Sequence, residues 1–240
     1  MTCNLYDGKI NQSLKQQYSK WGKVHPGLKL VRHGLVDEQA FESAKVRIVL
    51  LGKEVNSMEY SDFDLLKFLK GELEKGDEGK NIKRADIQAG LWAYGILTDF
   101  NEDFSSLNIN KCAAFGLRRI GWTNLSKIAG GGKADSKSIS ERAKSEKALW
   151  SEELRIMKPR VILCSGEHTY NLMTKLLDLK RKPLLDKTSQ HRKFSYSIWR
   201  YKCLCIDYYH HAARGDYKKL YEILKEVFIE CKRCEPTLRL

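Results

Sequence analysis

Apolar residues come along this chain in two rhythms: short continuous runs far apart, and longer stretches where they recur every three or four positions. The runs VRIVLLG (46–52), LRRIGWTNL (117–125), PRVILCSG (159–166) and YKCLCID (201–207) predict four buried strands, none of which reads as part of an edge hairpin. Between them, DFDLLKFLKGELEKG gathers Leu65, Leu66, Leu69 and Leu73 on one helical face. SEKALWSEELRIMKP does the same with Leu149, Trp150, Leu154 and Met157, and Pro159 stops it. EHTYNLMTKLLDL carries Leu172, Met173, Leu176 and Leu177, and DYKKLYEILKEVFIECKR carries Leu220, Ile223, Leu224, Val227 and Phe228. Strands that alternate with one-striped helices predict an α/β protein, a three-layer α/β/α sandwich around a central, mainly parallel four-stranded sheet.

Polar and glycine-rich stretches at 76–81, 129–138 and 181–193 read as loops. Residues 1–45 are polar and weakly periodic and read as an N-terminal extension packed on a single domain, 46–240. The 76–115 stretch gives little legible pattern.

Composition changes the picture in one respect. The 240 residues are 42% hydrophobic, enough for a core, but 43 Lys plus Arg stand against 30 Asp plus Glu, a formal charge of +13. That surplus points to a polyanionic partner, since Lys and Arg gain affinity by displacing counterions from phosphates. No apolar stretch is long enough for a membrane span. MTCNLYDGKINQSLKQQYSK lacks the apolar core of a secretory leader, so a cytoplasmic monomer is expected, nucleoid-associated if bacterial. Seven cysteines, an odd number, argue for free thiols. Cys231 and Cys234 have CxxC spacing without a second ligand pair, and Cys231 falls on an apolar stripe, so no metal is expected.

In an open α/β sheet, ligands bind beyond the carboxyl ends of the strands. After the first strand, Gly52 permits a sharp turn and Glu54 could activate a water, or be solvated or cap a helix. Asn124, inside an apolar strand, offers one acceptor and two donors to a base edge or to neighbouring backbone. The GGGK at 130–133 lacks the earlier Gly and the following Ser or Thr of a phosphate loop, its places holding Lys127 and Ala134. Gly166 permits a tight turn, and Glu167 opens a helix, with His168 on the helix surface. The stretch DYYHHAARGDY (207–217) ends a strand on aromatics and imidazoles: His210 could donate to a developing negative charge, and Arg214 could hold a phosphate. Each of these features read alone is equally compatible with a packed polar turn.

Taken in order, GKEVN, WTNLSKI, LWSEELRIMKPRVILCSG and HHAARG resemble the motifs of the uracil-DNA glycosylase superfamily over roughly residues 46–228. The resemblance implies a cofactor-free, DNA-binding hydrolase of base-excision repair. In it, Glu54 positions or activates water, Asn124 reads the flipped base and His210 stabilises the departing base. Gly52, Val55 and Asn56 would shape the pocket, Tyr60 and Phe63 are candidates to stack on the base, and Gly166, His211 and Arg214 complete the substrate-binding set. The family's closing Pro and Ser are here His211 and Ala212, Val55 replaces a usual Pro, and Ile128 stands where some branches have a cluster-binding Cys. The resemblance therefore implies a divergent member without an iron–sulfur cluster, whose base need not be uracil. Two other readings stay open: a catalytically silent nucleic-acid-binding protein on the same fold, and another nucleotide-directed hydrolase.

Overall fold

The four apolar runs pair side by side because each buries both faces. The structure, a computed structural model, describes residues 8–54, 64–74, 82–130, 135–184, 193–238 and 240. In chain order the strands are β1 (Gly34–Leu35), β2 (Ile48–Gly52), β3 (Ile120–Asn124), β4 (Val161–Ser165), β5 (Lys182–Pro183), β6 (Ser195–Trp199) and β7 (Cys203–Tyr208). The predicted four form a parallel core in the order β3-β2-β4-β7, with Gly52 beside Asn124 and Ser165 beside Tyr208. Every residue of these four strands is buried, as a sheet covered on both faces requires.

The expectation of four strands is too small. Among the described residues the sheet has seven, in the order β1-β3-β2-β4-β7-β6-β5, and the outer pairs are antiparallel. The run YKCLCID is one arm of an antiparallel pair with β6, joined by a tight turn at residues 200–202, so the absence of a hairpin is also corrected. That turn uses Tyr201 and Lys202 at φ 58 and 57, where Gly or Asn would ordinarily announce it. The loop expected at 181–193 contains β5.

The helices are α1 (Lys9–Val24), α2 (Glu38–Glu42), α3 (Leu65–Glu74), α4 (Arg84–Leu97), α5 (Ile109–Arg118), α6 (Ser136–Ser145), α7 (Lys147–Met157), α8 (Glu167–Leu177) and α9 (Tyr217–Cys234). Strand residues alternate between two cores. Ile48, Leu50, Trp122, Leu163 and Ile206 meet α3, α4, α5 and α9. Val49, Leu51, Ile162, Cys164 and Cys205 meet α1, α2, α6, α7 and α8. Cys231 lies in the first core, on the stripe of α9.

The stretch before residue 46 is an integral part of the sheet layer. Leu14 and Trp21 of α1 are in the second core, and β1 pairs with β3. A buried ion pair fastens it: Lys127 Nζ lies 2.7 Å from Glu153 and donates to Thr123 Oγ1 at 2.6 Å. Trp21 Nε1 donates to Glu153 at 2.8 Å, so α1, α7 and the end of β3 share one polar knot.

The illegible 76–115 stretch holds α4 and most of α5, which cross at unusually close range. A Cβ at Gly90 would strike the Ala113 backbone, and one at Gly116 would strike the Gly90 backbone, so only glycine fits at the crossing. Most of α4 is buried, which leaves no polar side to reveal its periodicity. Among the described residues no helix is long and apolar enough to cross a membrane.

Candidate active site

The carboxyl ends of β2, β3, β4 and β7 lie together at one end of the sheet, where a doubly covered α/β sheet takes its ligand, and the first two are stitched beyond the strands proper. Leu125 N–H donates to the Gly52 carbonyl at 3.0 Å, and Ser126 N–H donates to the Lys53 carbonyl at 2.9 Å. At the last pair of the ladder the Asn124 carboxamide lies directly against Gly52. A Cβ there would collide with Asn124 Oδ1, so the absence of a side chain at residue 52 makes room for the Asn. Asn124 is 2% exposed.

Glu54 follows, with its carboxylate packed on the Gly130 backbone. Partial burial raises its pKa, against the pull of the Arg142 and Lys53 cations, while Asp135 adds to the rise. A carboxylate with a raised pKa is a better proton acceptor than one in water.

On the other side, β4 and β7 are tied at their ends by Gly166 N–H, which donates to the Tyr208 carbonyl at 3.0 Å. Gly166 takes φ +96, the turn its residue type suggested, and opens α8. β7 then releases the pair His210 and His211, whose rings stack at 4.5 Å between centroids. His211 turns inward. Its ring meets Ser165 Oγ at 2.8 Å through Nδ1, the His211 backbone N–H donates to the same oxygen at 3.1 Å, and the ring stands edge-on to Trp122 at 5.0 Å between centroids. Burial, and then the neighbouring His210, press its pKa down to about 3, so it is neutral at physiological pH.

His210 sits at the exposed rim. Its Nδ1 accepts from Ala212 N–H at 3.2 Å, which places the proton of the neutral ring on Nε2, free to donate outward. Surrounding protein and the Lys53 cation both lower its pKa.

Lys53 is the residue that sequence reasoning missed. Its ammonium acts on Glu54, on His210 and on His168, so groups from three different strand ends lie in one electrostatic neighbourhood. Its position between Gly52 and Glu54 was the available signal. His168, expected on the helix surface, is half-buried, and its Nε2 is buried without a hydrogen-bond partner among the described residues. Ser165 and Trp122, also unpredicted, hold His211 in place.

Of the other expected residues, Arg214 is exposed on the outer part of the His loop. Val55, Asn56, Tyr60 and Phe63 lie outside the described residues. Elsewhere, Lys15 and Tyr18 of α1 with Arg32 and His33 line a cleft of about 90 Å³. No group of three or more His, Cys, Asp or Glu that could hold a metal ion occurs among the described residues.

Comparison with protein-family models and with curated proteins finds no match to this sequence.

Proposed function

We propose that the protein is a DNA base glycosylase, hydrolysing the N-glycosidic bond of a flipped uracil or other modified base. The observation that carries this reading is that Glu54 and His210 leave the same end of the parallel sheet and both feel the Lys53 cation, with the Asn124 carboxamide set on Gly52 at that end. An acceptor and a donor, with a base-reading amide beside the acceptor, are what the reaction needs. The target base leaves the DNA stack and enters the crevice. Asn124 holds its hydrogen-bonding edge. Water attacks C1′ of the sugar and Glu54 takes its proton. The C1′–N bond breaks with its electron pair on the base, and the Nε2–H of His210 donates to the negative oxygen or nitrogen that develops. An abasic site and a free base result. Lys53 adds a positive charge that favours the anionic leaving group, and the excess of 13 positive charges draws in the phosphate backbone.

A second reading, nucleic-acid binding without chemistry, draws on the orientation of Glu54. Its carboxylate rests on Gly130 and faces Arg142, an arrangement that also suits a structural tie.

The test is strand scission of labelled oligonucleotides carrying uracil, hypoxanthine, xanthine, adenine or oxidised bases, with hot alkali to reveal abasic sites. Excision of one base, reduced roughly a hundredfold or more in Glu54→Gln and in His210→Ala with DNA affinity nearly unchanged, is the expected result. No excision across the panel, with salt-sensitive DNA binding intact, would replace this reading with the second.

A further inference from the structure

The reading above leaves one side chain of α4 unused. Gln88 is 2% exposed, yet neither its Oε1 nor its Nε2 has a hydrogen-bond partner among the described residues. Trp92, one turn further along, has a buried Nε1 in the same condition. A buried carboxamide with every bonding position empty bears the full desolvation cost of both groups, and a leucine in its place would remove that cost. Such groups are rare in folded proteins and ask for a reason.

The setting of α4 supplies one. Arg84, at its start, donates to the Gly215 carbonyl and lies over the Tyr217 ring at 4.9 Å. The helix therefore begins at the carboxyl end of the sheet and descends beside it. Trp92 packs edge-on against Tyr208, the last residue of β7, with ring centroids 4.8 Å apart. Gln88 shares that helical face and stands one turn, about 5.4 Å, nearer the crevice. It is thus at the level where the His210–His211 pair leaves β7. Trp122, against which His211 packs, belongs to the same core as α4, and Asn124 follows it on the same face of β3.

We propose that Gln88 is a base-specificity residue, reading the hydrogen-bonding edge of the base that Asn124 leaves free, and that the pocket therefore prefers a purine to a pyrimidine. This rests on the glycosylase reading of the crevice. A pyrimidine joined to its sugar offers one strongly hydrogen-bonding edge, with only carbons at the next two ring positions. A purine offers two edges, and on the second adenine sets its N6 donor beside its N7 acceptor, which a carboxamide meets with two bonds of its own, whereas hypoxanthine and xanthine set two acceptors there.

The test is binding of free adenine, hypoxanthine, xanthine and uracil to the full chain, by calorimetry and by tryptophan fluorescence. The wild type should bind adenine about tenfold or more tighter than uracil, the size of effect one bidentate pair confers. Gln88→Leu and Gln88→Met should lose that preference by a similar factor while melting at the same or a higher temperature. A lower melting temperature in both variants with base affinities unchanged would make Gln88 structural and overturn the proposal. So would a wild type that prefers uracil or binds no base. Excision run in parallel separates the two ideas. If the wild type excises and neither Gln88 variant changes which base, the specificity role fails and the glycosylase stands. If Gln88 governs purine binding and nothing is excised, the specificity role stands and the catalysis fails.

Discussion

Acid should loosen the loop that carries the paired imidazoles, and the loss can be assigned to His211. Its folded-state pKa is about 3, against 6.5 for the unperturbed group. Below about pH 6.5 the unfolded chain takes up a proton there that the native chain refuses until about pH 3, so stability is full above that window and falls as pH drops through it. The full shift corresponds to about 5 kcal/mol, of which about 2 kcal/mol is gone by about pH 5. The residue as a whole is half-buried, and solvent screening trims the figure at about pH 5 to about 1 kcal/mol. His211→Gln cannot titrate but can still hydrogen-bond Ser165. Urea unfolding at about pH 7.5 and about pH 5 should therefore show the wild type losing about 1 kcal/mol more than the variant. Equal losses in the two proteins would refute the reasoning. So would an imidazole NMR titration that places His211 near its unperturbed value.

Three further outcomes follow from the packing. Asp86, 7% exposed and facing Glu72, has its pKa raised to about 7, first by burial and then by that neighbour. The native state keeps a proton that the unfolded chain has lost between about pH 4 and about pH 7, so Asp86→Asn should stabilise by roughly 1–3 kcal/mol at about pH 8 and by nothing at about pH 4, read from denaturant midpoints. Lys127→Met strands the buried Glu153 carboxylate and should cost about 3–5 kcal/mol, whereas adding Glu153→Leu should restore most of it; a single variant as stable as the wild type would contradict the ion-pair account. Gly52→Ala drives a methyl into Asn124 and should cost about 1–3 kcal/mol with a drop in excision, and unchanged thermal unfolding and turnover would show that the carboxamide is not held there.

Four strands and four helical stripes were legible because each is long and consistently patterned, as the buried Leu65, Leu66, Leu69 and Leu73 of α3 illustrate. What escaped notice is physical in each case. β1 and β5 have two residues each, too few to display an alternation, and the β6–β7 turn is built from Tyr201 and Lys202 in place of a turn former. α1 reads as polar because only Asn11, Leu14, Gln17 and Trp21 point inward, two of them polar. α4 has the opposite fault, being apolar on nearly every side. At the crevice, Gly52, Asn124 and Gly166 occupy the strand ends where their residue types suggested. The roles of His210 and His211 could not be divided from sequence, since adjacent positions in a loop carry no period to say which ring turns inward. Gln88 was invisible for a related reason, because an amide among apolar neighbours on a helix is indistinguishable in sequence from one that faces water.

The glycines at the α4–α5 crossing reach beyond their own contact. With backbone touching backbone at Gly90 and Gly116, α4 is unable to slide or roll without α5 coming along. A methyl at either place would lift the helix as a whole and leave its surface undented, so the height of Gln88 over the crevice would change with it. On the proposed reading of Gln88, two positions that never meet a ligand would work as a focusing screw, and selection for a different base could proceed by turning that screw and leaving the proposed base contacts untouched.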